Sequence, residues 1–363
     1  MIDRRSLTHI DWVLVVVTVT LTSIGIATIY SATHTTAPAI YKKQLYWFFI
    51  STALIIPVLI INYNTLKRFA YPILAVAVLM LIATLIFGRT IGGSQRWISL
   101  GFINFQPSEL AKIAFIIALA ARLSEKAPLK GLDIKDLLVP LVLLAVPFLL
   151  IAKQPDLGTA LIFLFIFATM TFIVKIRLRT LIAFGLPALA LIPVAWVYLL
   201  KGYQKSRLMS FVDPAMDPLG SGYQTLQSKI AIGSGGVLGK GFTKGTQGNL
   251  SFLPEHHTDF VFPVLAEEWG FIGAAIVLGL FLTLILRGIS TANSSKDRFG
   301  FLLAIGVTSM IFWHIVINIS MVMGFMPVVG VPLPFLSYGG SFLLSVTVAV
   351  AILININMRR FVL

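Results

Sequence analysis

The residues best suited to chemistry lie in one polar segment, from Tyr203 to Gly270, of an otherwise apolar chain. Asp259 is the residue on which this chemistry would centre, and it stands directly before a long apolar run. A carboxylate where water meets hydrocarbon is a candidate general base, because it accepts protons in a site that excludes much of the solvent. From these residues alone, a helix terminus is the commoner explanation, with Thr258 as the N-cap and Asp259 in the first turn.

Charged residues also interrupt two other apolar runs. Glu109 and Lys112 are three positions apart and share one face of the helix predicted from Pro107. Charges inside an apolar span are costly unless they pair or face a wet cavity, so the two are either a structural ion pair or a substrate contact. Asp156 stands in the first turn of another predicted helix, where it either stabilises the helix terminus or contacts substrate.

The glycine-rich run from Gly233 to Gly241 is not a Walker A loop. Ser234 stands where the first glycine belongs, and Gly241 replaces the serine or threonine after Lys240. Tight turns are the commoner reason for such glycines. The alternative is an anion site, in which backbone N–H groups and Lys240 attract a diphosphate.

A second segment rich in proline and glycine runs from Pro327 to Ser341. Its prolines interrupt helix, so we expect a folded-back hairpin that is buried in protein. Ser337, Gly339 and Gly340 either bring the backbone close to a ligand or let helices pack closely. The chain contains no metal-binding spacing and no nucleophile signature, so no protein metal site is predicted.

The composition of the chain indicates the kind of framework that holds these segments in place. The 363 residues are 58% hydrophobic and 12% charged, with a mean hydropathy of +0.94, which is typical of a polytopic membrane protein. The absence of cysteine excludes disulfides and thiolate sites. The net charge of +14 does not indicate nucleic-acid binding, because the cations lie mostly at the ends of apolar runs.

Apolar runs of spanning length predict an all-α integral membrane protein with ten transmembrane helices in a single domain, residues 1–363. The predicted spans are 10–30, 44–62, 68–88, 107–123, 136–152, 156–174, 178–200, 260–286, 300–325 and 336–357. Both termini then share one side, whose short segments carry sixteen lysines and arginines against five on the other. This excess predicts cytoplasmic termini and an extracytoplasmic active site, with a large structured loop, 201–259, between helices 7 and 8.

Two segments on the predicted outer face carry expectations of local structure. The stretch 89–106 mixes apolar and polar residues, and we expect it at the membrane interface with Trp97 as an anchor. Within the long loop, the run 222–232 has helical spacing. It predicts a short amphipathic helix with Leu226 and Ile230 on one face, for which Ile232 is a further candidate.

Together these motifs resemble the SEDS proteins (shape, elongation, division and sporulation). The resemblance covers nearly the whole chain, and the short termini favour the elongation branch over the division branch. It rests on Gln154-Pro155-Asp156-Leu157-Gly158-Thr159, on Pro332-Leu333-Pro334-Phe335-Leu336-Ser337-Tyr338-Gly339-Gly340-Ser341, and on residues 95–98, 106–112, 222–224, 233–241, 254–260 and 267–270.

The resemblance implies a peptidoglycan glycosyltransferase of the cytoplasmic membrane. It would polymerise lipid II, the undecaprenyl-diphosphate-linked disaccharide peptide, for cell-wall elongation and rod shape, with Asp259 as the catalytic residue. The implied partners are a class B penicillin-binding protein transpeptidase and other membrane proteins of the elongation complex.

For such a substrate we expect contacts from both charged side chains and backbone. The substrate-binding candidates are Arg96, Trp97, Glu109, Lys112, Asp156, Arg207, Lys229, Lys240, Ser337, Gly339 and Gly340. The cations among them are candidates to stabilise the departing diphosphate, and a divalent cation such as Mg²⁺ or Mn²⁺ is a candidate cofactor for the same task. Two alternatives stay open: a lipid II flippase lined by Glu109 and Lys112, and a non-catalytic scaffold in which Asp259 only caps a helix.

Overall fold

The computed structural model describes residues 9–34, 37–91, 94–100, 103–125, 131–199, 202–213, 217, 220–246 and 257–360. Most of these residues are helical. The helices are α1 (Trp12–Thr33), α2 (Ala39–Ile60), α3 (Tyr63–Arg68), α4 (Ala70–Phe87), α5 (Pro107–Glu125), α6 (Ile134–Lys153), α7 (Leu157–Ile173), α8 (Leu178–Val194, extended by a π-helical turn Ala195–Leu199), α9 (Gly202–Val212), α10 (Ser221–Ser234), α11 (Val261–Asn293), α12 (Arg298–Val322) and α13 (Gly340–Met358).

Helices α5, α12 and α13 form the centre of the protein. α5 packs against α4, α6, α7, α12 and α13, while α12 also contacts α7 and α11, and α13 contacts α2. Phe115 and Ile116 on α5, Leu303 on α12 and Val346 on α13 are each 0% exposed. The polar residues near the start of α5 therefore lie in the protein interior rather than on its surface.

The peripheral helices turn apolar side chains outward. Phe49 on α2, Leu79 on α4 and Val142 on α6 are 62%, 64% and 61% exposed, and an outer surface of this kind is stable in hydrocarbon rather than in water. Among the described residues, seven helices are long and apolar enough to cross a membrane, namely α1, α2, α4, α6, α11, α12 and α13. The prediction of a helical, multi-pass membrane protein is confirmed.

The other three predicted spans coincide with α5, α7 and α8. α5 carries Glu109, Lys112 and Arg122 within 19 residues, and α7 and α8 have 17 residues each. These helices are less apolar or shorter than the seven above. The number of ten spans therefore stays a prediction.

The segment after α4 forms a small sheet that an all-helical fold does not contain. Strands β1 (Arg89–Ile91), β2 (Ser94–Leu100) and β3 (Ile103–Phe105) pair antiparallel in that order. Trp97 lies opposite Arg89, and Ser99 lies opposite Asn104. The sequence signal for the first hairpin was the Gly92-Gly93 dipeptide between β1 and β2, because Gly-Gly favours two-residue hairpin loops.

The short helix predicted in the long loop is present as α10, and the face with Leu226 and Ile230 is turned outward. Leu226 is 54% and Ile230 43% exposed, whereas Ser228 and Ala231 are buried. Ser228 Oγ donates a 2.6 Å hydrogen bond to the carbonyl of Val322. This carbonyl lies at the C-terminus of α12, where the last carbonyls have no partner within the helix. The side of α10 that faces protein therefore carries small residues such as Ser228 and Ala231.

The chain between α12 and α13 folds back without regular secondary structure, and we call residues 326–339 the buried loop. Val331, Leu333 and Phe335 are each at most 1% exposed, as expected for a hairpin inside protein. The N–H of Leu333 donates to Ser337 Oγ at 2.8 Å, and the N–H of Ser337 donates back to the carbonyl of Leu333 at 3.0 Å. These two bonds close its turn.

Candidate active site

Asp259 lies between the buried loop and the start of α11. Its backbone carbonyl accepts a 2.9 Å hydrogen bond from Asn318 Nδ2 on α12. Gly330 of the buried loop is close to the carboxylate, since a Cβ on Gly330 would stand 3.3 Å from Asp259 Oδ2. The residue is partly exposed. A carboxylate on a fixed backbone is thus within reach of a ligand.

The prediction that Thr258 caps the helix is wrong. Phe260 occupies the N-cap position, and its side chain makes no capping hydrogen bond. Pro263 explains the later start: with Thr258 as the cap, the carbonyl of Asp259 would need the N–H of residue 263, which proline lacks. With Phe260 as the cap, Pro263 falls in the first turn, where N–H groups have no intrahelical acceptor. The carbonyl of Asp259 bonds to Asn318 instead.

The residues Ser337, Gly339 and Gly340, which were predicted to contact substrate, pack against α2. Gln44, which is 0% exposed, donates through Nε2 to the carbonyl of Ser337 and accepts through Oε1 from the N–H of Gly339, both at 3.2 Å. At Gly340, a Cβ would stand 1.9 Å from Trp47 Cε2. These are contacts of close helix packing, and substrate contact at the three residues stays a prediction.

Glu109 and Lys112 form a buried ion pair, with 2% and 0% of each residue exposed. Lys112 Nζ is 3.0 Å from Oε1 and 2.9 Å from Oε2 of the glutamate. Its third partner is Nε2 of His314 on α12, at 2.8 Å, and Nδ1 of that ring is 3.2 Å from the carbonyl of Pro332. Because an ammonium group only donates, Nε2 accepts and Nδ1 carries the hydrogen that is donated to Pro332.

His314 is one of the residues near the candidate site that sequence reasoning missed, and Asn318 is another. His314 is a single histidine inside the predicted span 300–325 and belongs to no motif. The available signal was its chemistry, because an ionisable residue within a transmembrane segment almost always has a polar partner or a function.

Asp156 stabilises a helix terminus and also pairs with Arg96. Its Oδ1 accepts from the N–H of Thr159 at 3.2 Å, and its Oδ2 accepts from Thr159 Oγ1 at 2.9 Å, which caps α7. Arg96 Nη1 is 3.5 Å from Oδ1, and Arg96 Nη2 donates to the carbonyl of Pro155 at 3.0 Å. The arginine side chain is 27% exposed and that of the aspartate 3%, so Arg96 is the member of the pair that a ligand can reach.

A cleft of about 450 Å³ opens beside Arg96 and also has Arg207 in its lining. Arg207 Nη1 donates to the carbonyl of Val328 in the buried loop at 3.2 Å. The rest of the lining is mainly apolar and includes Leu157, Leu161, Leu208, Ile317 and Val329. Two guanidinium groups in a mainly apolar cleft suit an amphiphile with an anionic head.

The cleft and Asp259 are adjacent through two segments of chain. Ile317 and Val329 line the cleft. The residues that follow them, Asn318 and Gly330, are the ones that approach Asp259. The cleft lining and the surroundings of Asp259 are thus joined by adjacent residues of α12 and of the buried loop, and Asp259 itself is not part of the lining.

The glycine-rich turn docks on α11 where that helix is broken at Gly270, whose φ is +65°. The N–H of Gly241 donates to the carbonyl of Glu268 at 3.0 Å, and the N–H groups of Phe271 and Ile272 donate to carbonyls of the turn at 2.9 and 3.2 Å. At Gly239, a Cβ would stand 2.1 Å from the carbonyl of Glu268. These contacts favour the interpretation of the glycines as a tight, closely packed turn.

Three other predicted contacts lie apart from the cleft. Lys240 Nζ is 2.6 Å from Oε1 of Glu267, which is 0% exposed. Lys229 is exposed, and its side chain extends over Gly324. Of the residues that the structure describes, the cleft lining includes neither these two lysines nor Trp97.

The sequence matches the FTSW_RODA_SPOVE profile, described as a cell cycle protein, over residues 6–361. The chain belongs to this family. Peptidoglycan glycosyltransferase MrdB of Escherichia coli strain K12 is 43% identical to it over 285 residues, which are 78% of this chain and 76% of that protein. Peptidoglycan glycosyltransferase RodA of Treponema pallidum strain Nichols is 34% identical, over 98% of this chain and 99% of that protein.

A solved structure resembles this FtsW/RodA/SpoVE family member over nearly its whole length. It was described under the heading of structural coordination of polymerization and crosslinking by a peptidoglycan synthase complex. One of its chains superposes with a TM-score of 0.83 at 34% identity and covers 97% of this chain and 99% of its own length. The resemblance to the SEDS proteins drawn from the motifs is confirmed.

Among the residues that the structure describes, no three histidine, aspartate or glutamate side chains come together in one cluster. Mg²⁺ usually binds through one or two carboxylates together with substrate phosphates. A divalent cation shared between the protein and the diphosphate therefore stays a prediction, and the reaction below is written for the protein side chains alone.

Proposed function

We propose that this protein polymerises lipid II into glycan strands at the outer face of the cytoplasmic membrane, for cell-wall elongation. It is a peptidoglycan glycosyltransferase, the activity that the names of its relatives MrdB and RodA carry. The observation that carries the proposal is the partly exposed Asp259, whose neighbours Asn318 and Gly330 directly follow lining residues of an apolar cleft with two arginines. A substrate with an isoprenoid tail, a diphosphate and sugars requires these three features together.

In the proposed reaction, Asp259 is the general base. It accepts the proton of the 4-hydroxyl of the acceptor N-acetylglucosamine as that oxygen attacks C1 of the donor N-acetylmuramic acid. The bond from C1 to the diphosphate oxygen breaks, and undecaprenyl diphosphate leaves with the electron pair. Attack from the face opposite the leaving group inverts the configuration at C1.

Arg96 and Arg207 are the cations that we assign to the leaving diphosphate, because both line the cleft. Charge-assisted hydrogen bonds from guanidinium groups stabilise the negative charge that develops there. Lys112 and Lys240 each pair with a buried glutamate, and we assign them to holding α5 and the glycine-rich turn in place.

We propose the ten-span topology with cytoplasmic termini, supported by the charge distribution of the short loops. Reporters fused at Lys126 and Arg298 should then be cytoplasmic, and a reporter at Gly248 should lie outside. Enzyme-fusion or cysteine-accessibility mapping measures this directly. A cytoplasmic reporter at Gly248 would place the long loop, and the site with it, on the wrong side for lipid II polymerisation.

The proposed partner is a class B penicillin-binding protein transpeptidase, together with other membrane proteins of the elongation complex. Support comes from the matched solved structure, whose heading names a peptidoglycan synthase complex. The outward apolar faces of the peripheral helices are compatible with transmembrane partners as well as with lipid.

The decisive experiment is reconstitution of the purified protein with lipid II and its partner transpeptidase. Glycan strands resolved on a gel, formed while the transpeptidase is blocked by a β-lactam, are the expected result. Translocation of lipid II without strands would favour a flippase. Neither activity in a folded, partner-bound protein would favour a scaffold.

A further inference from the structure

Helix α12 places two polar side chains against the buried loop, and the reaction proposed above gives neither of them a role. His314 and Asn318 are four residues apart and therefore lie on the same face, one turn from each other. They are 2% and 0% exposed. Buried polar groups are as a rule hydrogen-bonded. Both ring nitrogens of His314 have a partner, whereas Asn318 bonds through Nδ2 and its buried Oδ1 has no hydrogen-bond partner within the described structure.

Asn318 joins Asp259 to the buried loop through a single amide. Its Nδ2 donates to the carbonyl of Asp259 at 2.9 Å and to the carbonyl of Val331 at 2.7 Å. The amide NH₂ group has two hydrogens, one for each carbonyl, and the opposite amide orientation would place an oxygen against two oxygens. The contact therefore specifies both the side chain and its orientation.

His314 holds the next carbonyl of the same loop. Its Nδ1–H donates to Pro332 while its Nε2 accepts from Lys112. Consecutive carbonyls, Val331 and Pro332, are thus held by consecutive turns of one helix. A loop held at two adjacent residues cannot slide along α12 without losing both bonds.

The residue before this pair of carbonyls is Gly330, which approaches the carboxylate of Asp259. Asn318 therefore fixes two distances at once: that of the Asp259 main chain from α12, and that of Gly330 from the carboxylate. We propose that Asn318 is a positioning residue for Asp259, with His314 holding the next carbonyl of the loop from one helical turn away. This inference rests on the proposed role of Asp259 as the base.

The test is Asn318→Leu, which keeps the branched arrangement of heavy atoms and removes both donors. A displaced base lowers the rate of the chemical step more than it weakens binding, so kcat for strand synthesis should fall by on the order of 10² with little change in the KM for lipid II. In an Asp259→Asn background the same substitution should add little further loss, because both changes act through one group.

Asn355→Leu is the matched control. Asn355 on α13 is 2% exposed and donates to the carbonyls of Val58 and Ile61, both at 2.7 Å, at the end of α2. Its loss removes the same kind of buried bond away from the candidate site. We expect a comparable drop in melting temperature with kcat essentially unchanged.

Asn318→Ser keeps one donor, so its kcat should lie between those of the wild type and of Asn318→Leu. If the leucine variant does not fold, the serine variant provides the test. Unchanged kcat in folded Asn318 variants, or equal kcat losses in the Asn318 and Asn355 variants, would overturn the inference while leaving the proposed function intact. An active Asp259→Asn enzyme would remove both the base assignment and this inference.

Discussion

Asp259→Asn should lose on the order of 10² to 10⁴ in the rate of glycan synthesis, which is the usual contribution of a general base. The amide has nearly the shape of the carboxylate but cannot take up the proton of the attacking hydroxyl. The fold should survive, because the bond between Asp259 and Asn318 uses the backbone carbonyl rather than the side chain. Lipid II binding should be largely retained, and the measurements are strand synthesis, lipid II binding and melting temperature on the same preparation.

Asp133→Asn provides a matched control for the capping interpretation. Asp133 is the N-cap of α6 and forms a capping box there. Asparagine is about as good an N-cap as aspartate, so this variant should polymerise at the wild-type rate. If Asp259 only stabilised the start of α11, Asp259→Asn would behave in the same way. Near-wild-type strand synthesis by folded Asp259→Asn would falsify the base assignment.

The largest loss of stability should follow from Lys112→Ala. The substitution leaves Glu109 buried without its cation and removes the donor that Nε2 of His314 accepts from. Breaking one partner of a buried ion pair typically costs about 3–5 kcal/mol. Thermal unfolding in detergent, with strand synthesis measured in parallel, reports both the stability and the activity.

Replacing both partners, as Glu109→Leu with Lys112→Met, should be less harmful to stability than Lys112→Ala, because no lone charge stays buried. Arg122→Ala is the control on the same helix: Arg122 and Glu125 have the same spacing but are partly exposed, and such pairs contribute about 0–1 kcal/mol. A stable double variant that cannot polymerise would show that the pair touches substrate. A double variant less stable than Lys112→Ala would contradict the ion-pair account.

Much of the helical framework could be predicted, because a span needs only a long run of apolar residues and that pattern is local. The buried loop was predictable for a similar reason, since its prolines cannot continue a helix. The outward face of α10 was not predictable from spacing. Burial of Ser228 depends on the free carbonyl of Val322, which is distant in sequence.

The candidate site likewise has features that the local sequence predicts and features that depend on contacts between distant residues. Asp259 is recognisable from its place at the end of a polar segment, and the glycine-rich turn from its composition. The roles of Asn318 and His314 were not predictable, because each depends on the carbonyls of a loop that packs against α12 only in the folded chain. Pro263 could have corrected the helix start, since its missing N–H is a property of the sequence itself.

The docking of the glycine-rich turn on the break at Gly270 changes the conformational entropy that closing the long loop costs. A loop attached only at its ends has to be closed as one long segment, whereas an attachment in the middle divides it into two shorter ones. The attachment supplies carbonyls to the N–H groups of Phe271 and Ile272, so releasing it would leave two donors unsatisfied. The attachment therefore lowers the conformational entropy that closing the long loop costs, compared with one undivided loop.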